Sequence, residues 1–165
     1  MTGMGLELQR DDGLMISDDP GRIDLARVRA WLASSYWASD RSAEAIERSV
    51  QNSRVYGVYT PSGEQVALTR ATTDLASFAW LSDVVVDEAW RGRGIGRWLV
   101  GTVVDHLRGL GVPRFVLATR DAHGVYAALG FGPLRASSSS GTSPGYGRGR
   151  TVTPANPARL VRYPL

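Results

Sequence analysis

Apolar residues recur along the chain with two different spacings, which predict both helices and strands. After Asp24, and again after Ser42, they recur every three or four residues, as on one face of a helix. The longest such run extends from Ile95 to Leu110, and a shorter helix is expected around Tyr126. β-branched or alternating runs predict strands. These predicted strands cover residues 14–16, 55–59, 65–69, 76–86, 115–118 and 158–163.

The order β-α-α-β-β-β-α-β-α-β predicts an α/β (α+β) domain with a mixed, mostly antiparallel central sheet flanked by helices. A length of 165 residues suits one domain spanning 1–165. Residues 1–13 are expected to form a flexible leader. Residues 136–157, rich in Ser, Gly and Pro, are expected to form a flexible insertion within a terminal hairpin. A flap over a substrate and a nucleic-acid contact are the alternatives for this insertion.

Composition narrows the class of protein. A hydrophobic content of 43% and a charged content of 21% are typical of a soluble globular domain. The net charge of +3 is too small to predict a nucleic-acid partner. The absence of Cys excludes a disulfide framework and a thiolate nucleophile. With neither a signal-peptide pattern nor an apolar run of membrane length, we expect a cytoplasmic protein without a membrane partner, monomeric or homodimeric.

A glycine-rich loop between a strand and a helix is the strongest local signal. The β-branched run Val84–Val86 leads to Arg91-Gly92-Arg93-Gly94-Ile95-Gly96, which opens the longest predicted helix. Unpaired N–H groups at the positive end of a helix dipole suit a phosphate. A Walker loop is excluded because the chain has no Lys, and the dinucleotide fingerprint because Arg97 occupies its third glycine position. A βα turn whose glycines merely allow tight packing remains the alternative.

The loop matches the pattern Arg/Gln-x-x-Gly-x-Gly/Ala, with Arg91, Gly94 and Gly96 in its defining positions. Here the chain resembles the GNAT superfamily of N-acetyltransferases. The resemblance implies acetyl-CoA (coenzyme A) as cofactor, held between two splayed parallel strands that end at Val86 and Ala118. Pantetheine contacts and a backbone donor to the thioester oxygen are then expected from Val84, Val85 and Val86. The pyrophosphate contacts are expected from Arg91, Gly92, Arg93, Gly94, Ile95, Gly96 and Arg97.

A second segment about 30 residues further on supports the same resemblance. It has Ala122, Tyr126, Gly130 and Phe131 in register with the superfamily's next motif. Thr119 stands where that motif has Asn, and we expect it to contact the cofactor. Its sequence from residue 121 to 126 is similar to that of one bacterial subgroup, whose members also carry a Tyr-Trp pair and an Arg near the N-terminus. The matching residues here are Tyr36, Trp37 and Arg41.

The chemistry of acetyl transfer assigns roles to a few side chains. A lysine-like amine, with a pKa of about 10.4, must lose a proton before it attacks, and Asp83 is the first candidate base and Asp74 the second. The resemblance implies that Tyr126 donates to the leaving thiolate. Because a phenol titrates near 10 and a thiol near 8.5, a hydrogen-bond donor suits Tyr126 better than a complete acid.

The acceptor site is expected beside these groups. Tyr36, Trp37, Arg41 and Asp74 are predicted to line it, and aromatic walls with one Arg suit an amine that carries an anionic group. Two His without a cluster of ligands predict no metal site. The sequence thus predicts an acetyl-CoA-dependent N-acetyltransferase that modifies a primary amine of a small molecule or peptide by direct attack in a ternary complex. A non-catalytic acyl-CoA-binding or regulatory module is the alternative.

Overall fold

The structure is a computed structural model that describes residues 5–120, 122–133 and 159–162. Its helices are α1 (Leu25–Ala33), α2 (Ala43–Gln51), α3 (Ile95–Gly109) and α4 (His123–Ala128). Its strands are β1 (Glu7–Gln9), β2 (Met15–Ser17), β3 (Arg54–Tyr59), β4 (Gln65–Thr73), β5 (Ala79–Val86), β6 (Phe115–Thr119), β7 (Gly132–Pro133) and β8 (Arg159–Arg162). The predicted insertion at 136–157 lies outside the described residues.

The described strands form one sheet in the order β1-β2-β3-β4-β5-β6-β8-β7. Every neighbouring pair is antiparallel except β5 and β6, which run parallel. The parallel pair is joined through α3, as a crossover connection between parallel strands requires. The predicted fold class, a mixed and mostly antiparallel sheet flanked by helices, is confirmed.

The helices begin where the sequence places their caps. The side chain of Asp24 accepts a hydrogen bond from the backbone N–H of Arg27 at 3.0 Å, and that of Ser42 from Ala45 at 3.1 Å. Each cap satisfies an N–H group that the first helical turn leaves without a partner. In the described part of the chain, none of the helices is long and apolar enough to cross a membrane.

Two hydrophobic clusters form the core, one on each face of the sheet. Ala67 and Leu68 are adjacent on β4 yet belong to different clusters, because successive side chains of a strand point to opposite faces. The larger cluster buries the apolar stripe of α3, which includes Leu99, Val103 and Leu107. The smaller cluster takes the apolar residues of α1 and α2. The sheet therefore lies between α3 on one face and α1 with α2 on the other.

Several boundaries differ from the prediction. The segment 1–13, expected to be a flexible leader, contains the strand Glu7–Gln9, which pairs with β2, and the carboxylate of Asp18 accepts the N–H of Leu6 at 2.7 Å. The strand expected at 76–86 begins only at Ala79, because Asp74 accepts the backbone N–H groups of Ala76 and Ser77 in a turn. The two-residue strand β7 was not predicted, since so short a segment has no periodicity.

Candidate active site

A cleft opens where the parallel strands β5 and β6 separate. Their pairing ends at Leu81 opposite Leu117, after which β5 continues to Val86 while β6 ends at Thr119. A cavity of about 270 Å³ lies in the gap. The separation leaves the edge of Val84–Val86 that faces β6 without a strand partner in the described part of the chain. Its backbone groups are therefore open to a ligand, as predicted for the splayed pair.

A β-bulge in β5 accompanies this separation. From Ser82 to Val85, β5 has one residue more than β4 has between the opposite positions Arg70 and Leu68. Asp83, inside the bulge, has a left-handed φ of +54°. This conformation is uncommon for residues other than glycine and carries a cost in backbone energy. The surrounding contacts of Asp83 must therefore hold it in place.

The bulge exchanges the faces on which the β5 side chains lie. Before it, Leu81 belongs to the core cluster beneath α3. After it, Val85 belongs to the cluster beneath α1 and α2, while Val84 and Val86 pack towards α3. Side chains alternate between the two faces of a strand, so one extra residue moves the side chains that follow it to the opposite faces. Val84 consequently lines the cleft, whereas the side chain of Val85 points away from it.

Asp83 is the centre of a buried charge network. Its carboxylate, whose side chain is fully buried, accepts from Arg70 Nε at 2.6 Å and from Arg41 Nη1 at 2.9 and 3.0 Å. Trp37 Nε1 donates to the same carboxylate at 3.1 Å. These contacts join the segment between α1 and α2 to strands β4 and β5. The network fixes two of the residues that were predicted to bind the acceptor.

The environment of Asp83 sets its protonation. Burial alone raises the pKa of this carboxyl group, but the hydrogen bonds and charges of Arg70 and Arg41 outweigh burial and hold its pKa below the ordinary value. A carboxylate with a lowered pKa that already accepts from three donors has little tendency to take another proton. The predicted role of general base therefore does not fit Asp83, and an organising role does.

Aromatic residues form the wall of the cleft opposite the strands. Tyr36 and Trp37 meet edge to face, with ring centroids 5.0 Å apart, and both rings are partly exposed. The guanidinium carbon of Arg120 lies 3.7 Å from the centroid of the Tyr36 ring. Trp80 completes the aromatic lining. Tyr36, Trp37 and Arg41, which are 42 or more residues from Asp83 in sequence, thus line one cavity with it.

Asp74 does not line this cavity, and its roles as an acceptor-binding residue and second candidate base stay predictions that its position does not support. It lies in the exposed turn before β5, where its carboxylate accepts from the N–H groups of Ala76 and Ser77 and from the Ser77 hydroxyl. These hydrogen bonds, led by that of the Ser77 hydroxyl, lower the pKa of Asp74. Its role in this structure is to cap the turn.

The glycine-rich loop has the geometry of an anion site. Gly92 and Gly94 have left-handed φ angles of +75° and +70°, and Gly94 is the N-cap of α3. The first hydrogen bond of the helix joins Trp98 N–H to the Gly94 carbonyl at 3.0 Å. The N–H groups of Ile95, Gly96 and Arg97 precede that bond and lie at the positive end of the helix.

A second cavity, of about 470 Å³, lies over this loop. Most of the predicted cofactor residues line it: Val86, Arg91, Gly92, Gly94, Ile95, Gly96 and Arg97. Arg91 Nε also donates to the Val86 carbonyl at 3.2 Å, which ties the loop to the end of β5. Arg93 is not among the lining residues, and its guanidinium carbon lies 4.5 Å from the centroid of the Trp90 ring. The contacts of the loop with the cofactor stay predictions.

Tyr126 and Thr119 lie at the floor of the first cavity, where β6 turns into α4. The ring of Tyr126 is buried and meets Phe131 edge to face at 6.0 Å. Thr119 is also buried, and its hydroxyl accepts from the Ala122 N–H at 3.1 Å. The local role of Thr119 is therefore to hold the turn that presents Tyr126. A direct contact of Thr119 with the cofactor stays a prediction.

Arg70, Trp80 and Arg120 belong to the site but were missed in the sequence. Arg70 is the one charged residue of β4, and a charged residue with apolar neighbours in a strand signals a buried partner. Arg120 directly follows β6 at its carboxyl end, but nothing local distinguishes it from other exposed arginines. Within the described residues no group of three or more His, Asp or Glu lies together as a metal site. His106, in the apolar stripe of α3, packs edge to face with Tyr56.

Comparison with known proteins agrees with this architecture. Residues 24–131 match the model of the acetyltransferase (GNAT) family. A solved structure of a proposed GNAT-family acetyltransferase from Xanthomonas campestris pv. campestris is 37% identical, with a TM-score of 0.68, and the match covers 73% of this chain and 85% of that one. A proposed acetyltransferase of Gibberella zeae is 28% identical over 58% of this chain and 64% of its own length. The chain thus spans less than two thirds of this curated relative.

A more distant structure shares only the fold. N-acetylglutamate synthase from Neisseria gonorrhoeae, solved in complex with coenzyme A and N-acetyl-glutamate, is 15% identical with a TM-score of 0.69. The match covers 93% of this chain and 35% of that one. The family match covers both the glycine-rich loop and the segment that carries Tyr126. The chain therefore belongs to the acetyltransferase (GNAT) family, whose cofactor is acetyl-CoA.

Proposed function

We propose that the protein transfers the acetyl group of acetyl-CoA to a primary amine of a small molecule or peptide, by direct attack in a ternary complex. The observation that carries this proposal is the lining of the 270 Å³ cavity. Tyr126, the edge of β5 at Val84 and the aromatic wall at Tyr36 and Trp37 all face it. A donor for the leaving group, a place for the thioester and a wall for the acceptor therefore occur together.

In this proposal acetyl-CoA extends through both cavities, from the glycine-rich loop to the gap between β5 and β6. Its pyrophosphate accepts hydrogen bonds from the N–H groups of Ile95, Gly96 and Arg97, which the helix leaves unpaired. Its pantetheine arm runs along the open edge of Val84–Val86. The thioester then lies in the gap between β5 and β6, against Tyr126. The acceptor enters from the side of Tyr36 and Trp37.

The reaction needs one bond formed and one broken. The amine nitrogen attacks the thioester carbonyl carbon, and the negative charge that develops on the carbonyl oxygen is stabilised by backbone N–H groups of β5. The carbon–sulfur bond then breaks, and the thiolate accepts a hydrogen bond from the Tyr126 hydroxyl. Complete proton transfer from a phenol to a thiolate is uphill by roughly 2 kcal/mol. Tyr126 therefore acts as a donor, and solvent finally protonates the thiolate.

The amine must also lose a proton, and the cavity supplies no suitable carboxylate. Among the described residues Asp83 is the only carboxylate that lines it, and two arginines hold the pKa of that group low. The cluster of Arg41, Arg70 and Asp83 carries an excess of positive charge, which lowers the pKa of a nearby ammonium group. The acceptor therefore reacts as an amine that has lost its proton to water.

A pH profile tests both the reaction and the missing base. Amines whose pKa values differ by two or more units are incubated with acetyl-CoA, and the release of free thiol is followed from pH 6 to 10. We expect kcat/KM to rise with pH along an acidic limb that shifts with the pKa of each acceptor. A limb fixed at one pH for all amines would show a protein base instead. Acetyl-CoA binding without thiol release from any amine would favour a non-catalytic binding module.

A further inference from the structure

Arg120 has an unusual position in the acceptor cavity. It follows the last residue of β6, and its guanidinium carbon lies over the Tyr36 ring, 3.7 Å from the ring centroid. A guanidinium group in contact with a ring face can still donate hydrogen bonds to a ligand through its N–H groups. Both residues line the cavity that also contains Tyr126. The geometry therefore presents a fixed fork of donors to whatever enters beside the thioester.

The other arginines of the site are already engaged. Arg41 and Arg70 both donate to Asp83, which is fully buried. In the described part of the chain, Arg120 has no carboxylate partner, and its guanidinium group lies over the Tyr36 ring. The cation available to a ligand is thus Arg120 rather than Arg41, which had been predicted to bind an anionic group of the acceptor.

The charge of the cavity favours the same kind of ligand. Asp83 faces two guanidinium groups, and Arg120 adds a further positive charge at the mouth. Like charges a few ångströms apart repel in a partly desolvated site. A polyamine would therefore bring its second ammonium group against this excess of positive charge, whereas an amine with an oxyanion would offset it.

We propose that Arg120, supported by Tyr36, binds an anionic group of the acceptor, so that the substrate is an amine that also carries a carboxylate or a phosphate. This inference rests on the proposed transfer to an amine and narrows its substrate class. A planar guanidinium matches either oxyanion through two parallel N–H donors.

The test uses a matched series of 2-phenylethylamines, whose para position bears hydrogen, a carboxylate, a phosphate ester or an aminomethyl group. The 2-aminoethyl group is the same in each compound, and the para substituent sets the distal charge. Thiol release from acetyl-CoA gives KM and kcat for each compound. We expect KM to be roughly 10- to 100-fold lower for an anionic member than for the neutral one, as one charge-assisted pair implies. The carboxylate and phosphate arms show which oxyanion fits.

Variants assign that preference to Arg120. Arg120→Ala should raise KM for the anionic acceptor to the value of the neutral compound, with kcat and acetyl-CoA affinity nearly unchanged. Arg120→Lys, which keeps the charge but loses the planar fork, should give an intermediate KM. Arg114→Ala is the matched control, because Arg114 is exposed and does not line the cavity. It should leave every constant unchanged.

A binding measurement separates this inference from the proposed reaction. The N-acetylated forms of the four compounds are titrated calorimetrically into the protein loaded with coenzyme A, so that no turnover is needed. Tighter binding of an anionic form, lost in Arg120→Ala, supports the inference even if no amine releases thiol. Equal binding of all four forms, tighter binding of the aminomethyl form, or a preference that survives Arg120→Ala would each overturn it.

Discussion

The two halves of the cleft are built from different parts of the chain. The half over the glycine-rich loop is built around one contiguous stretch, residues 91–97, which presents backbone N–H groups at the start of α3; Val86, Trp90 and three residues of α4 complete its lining. The acceptor half consists of side chains from four separate segments, joined through Asp83, Arg41 and Arg70. One half can keep its function while most of its side chains change. The other depends on the identity of residues that are far apart in sequence.

This difference in construction corresponds to the difference between the two proposed ligands, a general cofactor and a specific acceptor. A backbone site suits a ligand shared by many proteins, because it needs only the local φ angles that glycine permits. A site of side chains can be altered one residue at a time, which suits a substrate that varies between proteins. Three changes test whether the two halves are independent.

The largest effect is expected from Gly94→Asp in the loop. A carboxylate about 4 Å from a phosphate repels it by about 4 kcal/mol at an effective dielectric constant of about 20, which lowers affinity roughly 1,000-fold. Calorimetry should therefore detect no binding of acetyl-CoA at ordinary concentrations, while the acceptor half remains folded.

Gly63→Asp is the matched control for that change. Gly63 lies in the β3–β4 turn with a φ of +89°, and an added Cβ meets nothing within 4 Å there or at Gly94. Both variants therefore carry a similar backbone cost in a left-handed conformation. If Gly63→Asp weakened acetyl-CoA binding as much as Gly94→Asp, the loop would not be the pyrophosphate site.

Tyr126→Phe tests the point at which the two halves meet. It removes one hydroxyl and little volume, so it should leave acetyl-CoA affinity unchanged and lower kcat by roughly 10²–10⁴-fold. Tyr59→Phe makes the same chemical change in the core, where the hydroxyl is buried and has no hydrogen-bond partner among the described residues. That control should keep full activity. Unchanged turnover in Tyr126→Phe would assign Tyr126 to packing alone.

Asp83→Asn should disturb the acceptor half and spare the cofactor half. It leaves Arg41 and Arg70 facing each other without a negative charge, and breaking such a pair costs about 3 kcal/mol of unfolding free energy. Urea denaturation at pH 7 measures this loss, and KM for the acceptor should rise while acetyl-CoA affinity stays the same. Asp74→Asn is the control for the acceptor KM, which it should leave unchanged because Asp74 does not line the cavity. A stable Asp83→Asn variant that lost only kcat would restore the role of base.

The unfolding free energy that is lost in Asp83→Asn should depend on pH in one direction. The pKa of Asp83 is lower in the folded protein than its unfolded value of about 3.9. Its stabilising contribution is therefore complete above pH 5 and disappears as the pH falls through the folded pKa. The difference in unfolding free energy between the wild type and Asp83→Asn should be constant from pH 5 to 8 and shrink below pH 4. A difference in unfolding free energy that grew below pH 4 would contradict the stabilising role of the Asp83 network.

Local patterns in the sequence were enough to predict much of the fold and the loop that forms one half of the cleft. The caps at Asp24 and Ser42 and the apolar stripe of α3 each depend on residues close together in the chain, and the helices form there. The loop at Gly94 was identified for the same reason. The position of Asp74 outside the cavity could not be predicted, because a carboxylate that follows a strand has no local feature that distinguishes a turn cap from a catalytic group.

The sequence by itself indicated the family, through two motifs that resemble it, and predicted the order of the main elements and a glycine-rich loop suited to a phosphate, because each of these depends on residues close together in the chain. Only the tertiary structure decided the acceptor half. The extra residue at Asp83 exchanges the faces of β5, and this brings Asp83 together with Arg41 from one segment and Arg70 from another. It also leaves Arg120, stacked on Tyr36, as the cation available to a ligand. Such long-range pairings depend on strand register and on the charges a buried group meets, and neither is visible in a single stretch of sequence.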